Sequence, residues 1–138
     1  MGGPKGWRIE DAWILVSLDP SPLLTINNAD RINHAIPNFE ELQASLGRLV
    51  GSGLAEPRSS WFSRTTVGNQ LVGRNVGGYN DALAVLSRLS TVPRTSVSVQ
   101  VDKAVFERAV SDSTRPWAPG RLWRWIFDPR HSSGAHSR

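Results

Sequence analysis

A stretch in the first half of the chain, residues 37–53, constrains the fold more strongly than any other. Asn38 can cap a helix, and Glu41 three residues later completes a pair like that of a capping box. Glycines at positions 51 and 53 are typical of a helix C-terminus. Because the residue before a proline avoids helical dihedrals, Pro37 ends an earlier helix and leaves only a tight turn. The helix after this turn is expected to bury Phe39, Leu42, Leu46, Leu49 and Val50.

Two more helices are expected before the turn. The first ends before residues 19–22, and its acidic start at Glu10 and Asp11 favours a helix over a buried strand at 13–16. Its apolar residues recur at helical spacing: Ile9, Ala12, Trp13 and Val16. Thr25 is expected to cap the second helix, which continues to about Ala35. Its inner side would consist of Ile26, Ala29, Ile32 and Ile36.

A β-hairpin and a fourth helix are expected after residue 53. Leu54–Ala55 and residues 61–63 would form the two strands, joined by a tip of four or five residues that includes 57–60. Thr65 would cap the fourth helix, which is expected to reach about Asn75. Val67 and Leu71 would be its buried residues.

The next part of the chain predicts a helix, a strand and another helix. The fifth helix starts at Asn80 or Asp81 and ends before Pro93, with Tyr79, Ala82, Leu83, Leu86 and Leu89 at helical spacing. Val97, Val99 and Val101 alternate with polar residues, as in a strand with one wet face, and such a strand needs a partner. Asp102 would cap a sixth helix through about Asp112. That helix is expected to bury Val105, Phe106, Ala109 and Val110.

These elements predict one mainly α-helical domain with a small antiparallel β-hairpin and extra C-terminal helices, which suits a chain of 138 residues. Residues 7–76 would form the domain proper, and residues 77–112 an extension used for packing or dimerisation. Residues 113–138 would form a basic, tryptophan-rich tail whose polar end is expected to be disordered.

The positive charge of the chain is concentrated in this tail. The net charge is +4, but residues 1–112 contain equal numbers of basic and acidic groups, eleven of each. The tail adds five arginines and only Asp128 on the acidic side. A basic total therefore does not by itself make the domain a nucleic-acid-binding surface.

The order of the elements is accompanied by residues that resemble a known superfamily. These are Asn38-x-x-x-Leu42-x-x-x-Leu46-x-Arg48-Leu49, then residues 50–54, an aromatic strand, and Thr65-x-x-Gly68-x-x-Leu71. The segment from Thr25 to Leu71 resembles the winged helix-turn-helix core of MarR-like and PadR-like bacterial regulators. Residues 29–37 also resemble short uncharacterised bacterial winged-helix proteins. The resemblance implies a cytoplasmic, homodimeric transcriptional regulator that binds double-stranded DNA.

In such a fold, the helix that begins after Asn38 would enter the major groove of DNA. Gln43 could pair with adenine, Arg48 with guanine or phosphate, and Asn38 with phosphate. Glu41 could accept from cytosine. Two arginines near the hairpin complete the candidate DNA-binding set, Arg58 at its tip and Arg64.

Other residues on the same face disagree with DNA binding. Glu40 and Glu41 place two carboxylates at the end of the helix that would face the phosphates. Ala44 and Gly47 supply no donor where such regulators commonly have polar or basic residues, and Arg64 replaces an apolar residue. The alternative is therefore a winged-helix protein–protein interaction module that does not bind DNA.

The sequence contains no pattern for catalysis, a metal or a cofactor. It lacks cysteine, and no stretch has the spacing of a zinc site, a P-loop or a nucleophile elbow. His34, in the turn between two helices, is expected to be a capping residue rather than a ligand. No apolar run approaches the length of a membrane span, and no signal peptide is recognisable. We therefore expect a cytoplasmic protein that is not an enzyme.

The tail combines aromatic and cationic side chains, a composition found at interfaces. The candidate interface residues are Trp117, Trp123, Trp125 and Phe127. They are expected to fold back on the domain or to contact a second copy, and a protein partner could also bind there.

Overall fold

The computed structural model describes residues 6–73 and 79–114. In chain order, the elements are α1 (Ile9–Ser17), α2 (Pro22–Asn33), α3 (Phe39–Gly51), β1 (Ala55–Arg58), β2 (Trp61–Arg64), α4 (Thr66–Val72), α5 (Tyr79–Leu89) and α6 (Lys103–Thr114). The protein is mainly helical, with a small two-stranded antiparallel sheet that forms the wing. This confirms the predicted fold class and all six predicted helices.

The core is built around α1. Each of its residues from Asp11 to Ser17 is buried, and Leu18 after it is only 3% exposed. Four other helices pack against α1, namely α2, α3, α4 and α5, while α6 packs against α2. Residues of α5 and α6 share the same apolar cluster with α1 to α3, so residues 79–112 pack onto the predicted domain rather than standing apart from it.

The start of α2 differs from the prediction. Ser21, not Thr25, is the N-cap: its side chain accepts a hydrogen bond from the Leu24 amide at 3.2 Å, and Pro22 takes the first helical position. Thr25 is buried one turn into the helix. Its hydroxyl donates to the Asp19 backbone carbonyl and accepts from the Trp61 indole N–H at 3.0 Å. Thr25 therefore connects α2 to the wing.

The wing is tighter than expected. Arg58 pairs with Trp61 in the register of the hairpin, so the tip consists of only Ser59 and Ser60. Trp61 and Phe62 both point into the core, where their rings meet edge to face. The wing is consequently anchored by β2, while the tip of β1 is exposed.

The caps of the later helices are confirmed. The Thr65 hydroxyl accepts from the Gly68 amide at 3.0 Å, and the Asp102 carboxylate accepts from the Ala104 and Val105 amides. The buried faces of α4 and α5 differ in part from the predicted ones. In α4, Val67 is 54% exposed instead of buried. In α5, Leu83 is exposed and Val85 is buried.

The predicted strand at 97–101 is wrong. Residues 93–102 have no regular secondary structure and no strand beside them; they lie along α3 instead. We call residues 93–102 the strap.

The tail starts later than the predicted residue 113. Ser113 is a buried residue of α6, and its hydroxyl donates a hydrogen bond to the Asn27 side chain. Helix α4 ends at Val72, with Gly73 as its C-cap, so the predicted end near Asn75 is about three residues too late. The interface candidates lie outside the described residues: Trp117, Trp123, Trp125 and Phe127.

Leu46 tests the packing of α3 against α1. Its side chain is fully buried, so Leu46→Ala should leave a cavity and lower the free energy of unfolding by about 2–5 kcal/mol, measured by urea denaturation. Val67→Ala on the exposed side of α4 is the control and should change stability by less than about 0.5 kcal/mol. Equal, small effects would mean that α3 does not bury this face.

Candidate nucleic-acid interface

The candidate DNA-reading helix is α3. A local capping interaction fixes where it begins, and burial of one of its faces in the core fixes its orientation. The Asn38 side chain accepts from the Glu41 amide at 2.8 Å, which confirms Asn38 as the N-cap. Leu42, Leu46 and Leu49 are fully buried, as the spacing predicted. The opposite face, which would have to meet DNA, contains Gln43, Gly47 and Gly51.

The strap runs along the Gln43, Gly47 and Gly51 side of this face for most of the length of α3 and leaves Glu40 and Ala44 exposed. At the C-terminal end of α3, the Ser52 hydroxyl accepts from the Thr95 amide at 2.9 Å and donates to the Thr95 carbonyl at 3.1 Å. In the middle, the Val97 amide donates to the Gly47 carbonyl at 3.0 Å. Further along, the Val101 amide donates to the Gln43 side-chain oxygen at 3.0 Å. The strap therefore runs antiparallel to α3.

Two glycines make this close approach possible. A Cβ atom at Gly47 would lie 2.5 Å from the Val97 carbonyl oxygen, and one at Gly51 would collide with the Thr95 carbonyl group. Both contacts are with backbone, which cannot rotate away as a flexible side chain can. Glycine in a helix lowers helix stability by about 1 kcal/mol relative to alanine, so its presence twice on one face needs a reason. The strap supplies that reason.

Gln43 and Arg48, two of the three residues expected to contact bases, both make contacts within the protein. Gln43 holds the strap through its side-chain oxygen. The Arg48 side chain is only 13% exposed, and its Nη2 lies 2.7 Å from Oδ1 of the fully buried Asp11. Ser45 Oγ donates to the same oxygen at 2.8 Å, and the Arg8 amide donates to the other carboxylate oxygen at 3.0 Å. Arg48 thus fastens α3 to α1.

The part of α3 that remains exposed is acidic. Glu40, Glu41 and Ala44 face solvent beside a small cleft of about 180 Å³ that Arg8 and Glu10 also line. Burial raises the pKa of Glu41 above its ordinary value near 4.5, and the nearby Glu10 carboxylate raises it further, while Arg8 opposes both. This surface would repel phosphate groups rather than attract them.

The two arginines near the wing have different surroundings. Arg58 is exposed at the tip, where its Nη1 lies 3.4 Å from Oε2 of Glu56 in a surface ion pair of small energetic value. Arg64 instead points inward: its Nη1 donates to the Leu15 and Val16 carbonyls, each at 3.0 Å. Those carbonyls lie at the C-terminal end of α1, where the Leu15 carbonyl also accepts from the Leu18 amide at 3.3 Å, so Arg64 adds a side-chain cap to α1. Burial lowers the pKa of Arg64, and Asp19 partly offsets this.

The overall charge of the described residues does not favour DNA either. Residues 1–112, which include every described helix start and the wing, contain eleven lysines and arginines and eleven aspartates and glutamates. Nonspecific DNA binding depends on phosphate neutralisation by cations. The described part of the chain lacks an excess of them.

Neither a metal-binding cluster nor a membrane-spanning helix is found in the described ranges. No group of three or more histidine, aspartate or glutamate side chains that could hold a metal is found there. His34 is the C-cap of α2, in a left-handed conformation with φ of 52°, as expected of a capping residue. No helix in those ranges is long and apolar enough to cross a membrane.

Comparison with known proteins adds nothing to these observations, because no family model, curated protein or solved structure matches the chain. The fold and the site therefore have to be interpreted from the residues themselves.

Gly47→Ala tests whether the strap is packed on α3. Helix propensity alone would make this substitution stabilising by about 1 kcal/mol. Because the new Cβ must displace the Val97 carbonyl, we expect a loss of about 1–3 kcal/mol in urea denaturation. Ala44→Gly, one turn away on the exposed face, calibrates propensity and should cost about 1 kcal/mol. A stabilised Gly47→Ala variant would contradict the strap contact.

Glu41→Gln tests the acidic surface. Because the pKa of Glu41 is raised, the folded state binds its proton more tightly than the unfolded state does. The contribution of Glu41 to the free energy of unfolding is therefore favourable below pH 4.5. It is lost as the pH rises through the raised pKa. Glu40→Gln is the matched control, because both substitutions remove a carboxylate from the first turn of α3. At pH 7, Glu41→Gln should be the more stable variant by a few tenths of a kcal/mol. The difference in stability between the two variants should vanish below pH 4.5. A difference that does not change with pH would contradict the raised pKa of Glu41.

Proposed function

We propose that this protein is a winged-helix module that acts through protein–protein contacts and does not use α3 to read DNA. The observation that carries this proposal is the strap, which occupies the side of the outer face of α3 formed by Gln43, Gly47 and Gly51. We also propose a cytoplasmic location, supported by the absence of cysteine.

Direct reading of DNA needs several side chains of one helix to reach base edges. In α3, the long polar side chains that could do so are Gln43 and Arg48, and each is held by another part of the protein. Release of the strap would still leave two glycines and an alanine on the reading face. Glu40 and Glu41 would remain at its leading end. These properties favour a face that is built to receive the backbone of its own chain.

Surfaces for a protein partner lie elsewhere on the domain. Large apolar side chains are exposed at scattered positions, which is ordinary for a protein surface. Leu23 and Leu24 differ from the others because they are adjacent and lie at the start of α2, 36% and 49% exposed. Leu23 also lines a groove between α2 and α6. The best surface for contact is thus on the side of α2.

The second candidate is DNA binding by a dimeric transcriptional regulator. It is favoured by Arg58, whose side chain is 60% exposed at the tip of the wing, where it could contact phosphate. Under this alternative, the strap would have to leave α3 before Gln43 could reach a base.

Titration against genomic DNA fragments at two salt concentrations separates the two functions. Under the proposed function, no fragment is bound selectively, and any binding at low salt is unchanged by Gln43→Ala. Gln70→Ala, an exposed glutamine of α4, is the matched control. The proposal fails if a selective complex forms whose preference is relaxed by Gln43→Ala and whose salt slope falls by about 1 with Arg58→Ala. Fluorescence anisotropy provides both readouts.

A further inference from the structure

The groove between α2 and α6 is an apolar surface that the described residues leave open. Its volume is about 380 Å³, in the range of pockets that enclose large organic groups. Pro22 and Leu23 form one wall, and Ala104, Val105 and Ala109 form the other. Arg108 and Asp112 add charged groups to the lining from α6.

We propose that this groove is the docking site for the aromatic segment of the same chain, residues 117–127. The segment contains Trp117, Trp123, Trp125 and Phe127, which are large apolar side chains that gain by leaving water. This inference does not use α3 and does not depend on the proposed function. Because Leu23 also belongs to the partner surface proposed above, a docked segment would leave Leu24 as the exposed part of that surface.

The position of the groove brings it within reach of the segment. Helix α6 both lines the groove and ends at Thr114, so the chain leaves from one end of the groove wall. Trp117 is three residues further on, which an extended chain covers in about 10 Å. The wall from Ala104 to Asp112 is about 12 Å long at the rise of an α-helix. About four extended residues are enough to run back along it.

Charge does not oppose this contact. Residues 1–112 contain eleven basic and eleven acidic groups, so the domain has no net charge that would repel a cationic segment. The segment and the residues that flank it contain four arginines and one aspartate: Arg115, Arg121, Arg124, Arg130 and Asp128.

Covalent linkage favours docking within one chain over docking onto a second copy. A short connection gives the segment an effective concentration of about 1 mM or more at the groove, far above the concentration of a second molecule in dilute solution. We therefore assign the groove to the segment of its own chain, and a second copy becomes an outcome of the test.

Trypsin digestion of the intact protein tests this assignment. Docking should protect the bonds after Arg121 and Arg124, whereas the bond after Arg130 lies outside the docked segment and serves as an internal reference. We expect cleavage after Arg121 to be at least about tenfold slower than cleavage after Arg130, with fragments identified by mass spectrometry. Equal rates at the two bonds in the wild-type protein would overturn the proposal.

Two aspartate substitutions locate the protection. Leu23→Asp places a charge in the groove, at the first turn of α2 where an acidic residue is compatible with the helix, and should abolish the protection. Leu83→Asp is the control at a similarly exposed leucine of α5 and should leave the protection intact. Circular dichroism confirms that both variants fold. Protection that survives Leu23→Asp would overturn the assignment to this groove.

The protein concentration distinguishes the two possible sources of the segment. Protection within one chain is the same between about 1 and 100 µM, and the protein elutes as a monomer over that range. Protection that appears only at the higher concentrations, together with a dimer, would assign the groove to a second copy and overturn the proposal.

Discussion

The ion pair between Asp11 and Arg48 sets the relation between α1 and α3, and the remaining structure is arranged around that relation. The Asp11 side chain has no exposed surface, so its charge depends on Arg48, Ser45 and the Arg8 amide for compensation. Removing one member of such a pair costs about 3–5 kcal/mol, because the other charge stays buried without a partner. The pair thus fixes the rotation of α3 on α1. That rotation decides which face of α3 is directed towards the strap.

Local signals were sufficient to predict most of the helices. Asn38, Thr65 and Asp102 act as N-caps as expected, because the capping interaction involves only neighbours in the chain. The prediction of Thr25 as an N-cap is wrong because its partner is distant in the chain. Its hydroxyl bonds to the indole of Trp61, 36 residues away, and no local pattern reveals such a partner. The combination of Ser21 and Pro22 is the stronger start signal, since proline is suited to the first position of a helix.

The candidate site shows a different limit of sequence reasoning. The expectation that Gln43 and Gly47 are directed away from the core is geometrically sound, but spacing within α3 cannot show what covers that face. The strand predicted from the alternating valines at 97–101 is wrong, because alternation does not show whether the neighbour of a segment is a strand or, as here, a helix. One signal was present in the sequence. Gly47 and Gly51 are one helical turn apart, and such a pair in a helix indicates close approach by another backbone.

The two glycines also restrict how α3 can diverge. A helix that reads DNA acquires new targets by exchanging the side chains on its exposed face, and each exchange leaves the fold intact. Here, at positions 47 and 51, any side chain larger than hydrogen would meet the carbonyl groups of the strap. Substitution on this face is therefore coupled to the loss of a neighbouring segment. New binding partners would have to be acquired by variation on other surfaces, and an attempt to graft a foreign reading helix into this scaffold would have to redesign the strap with it.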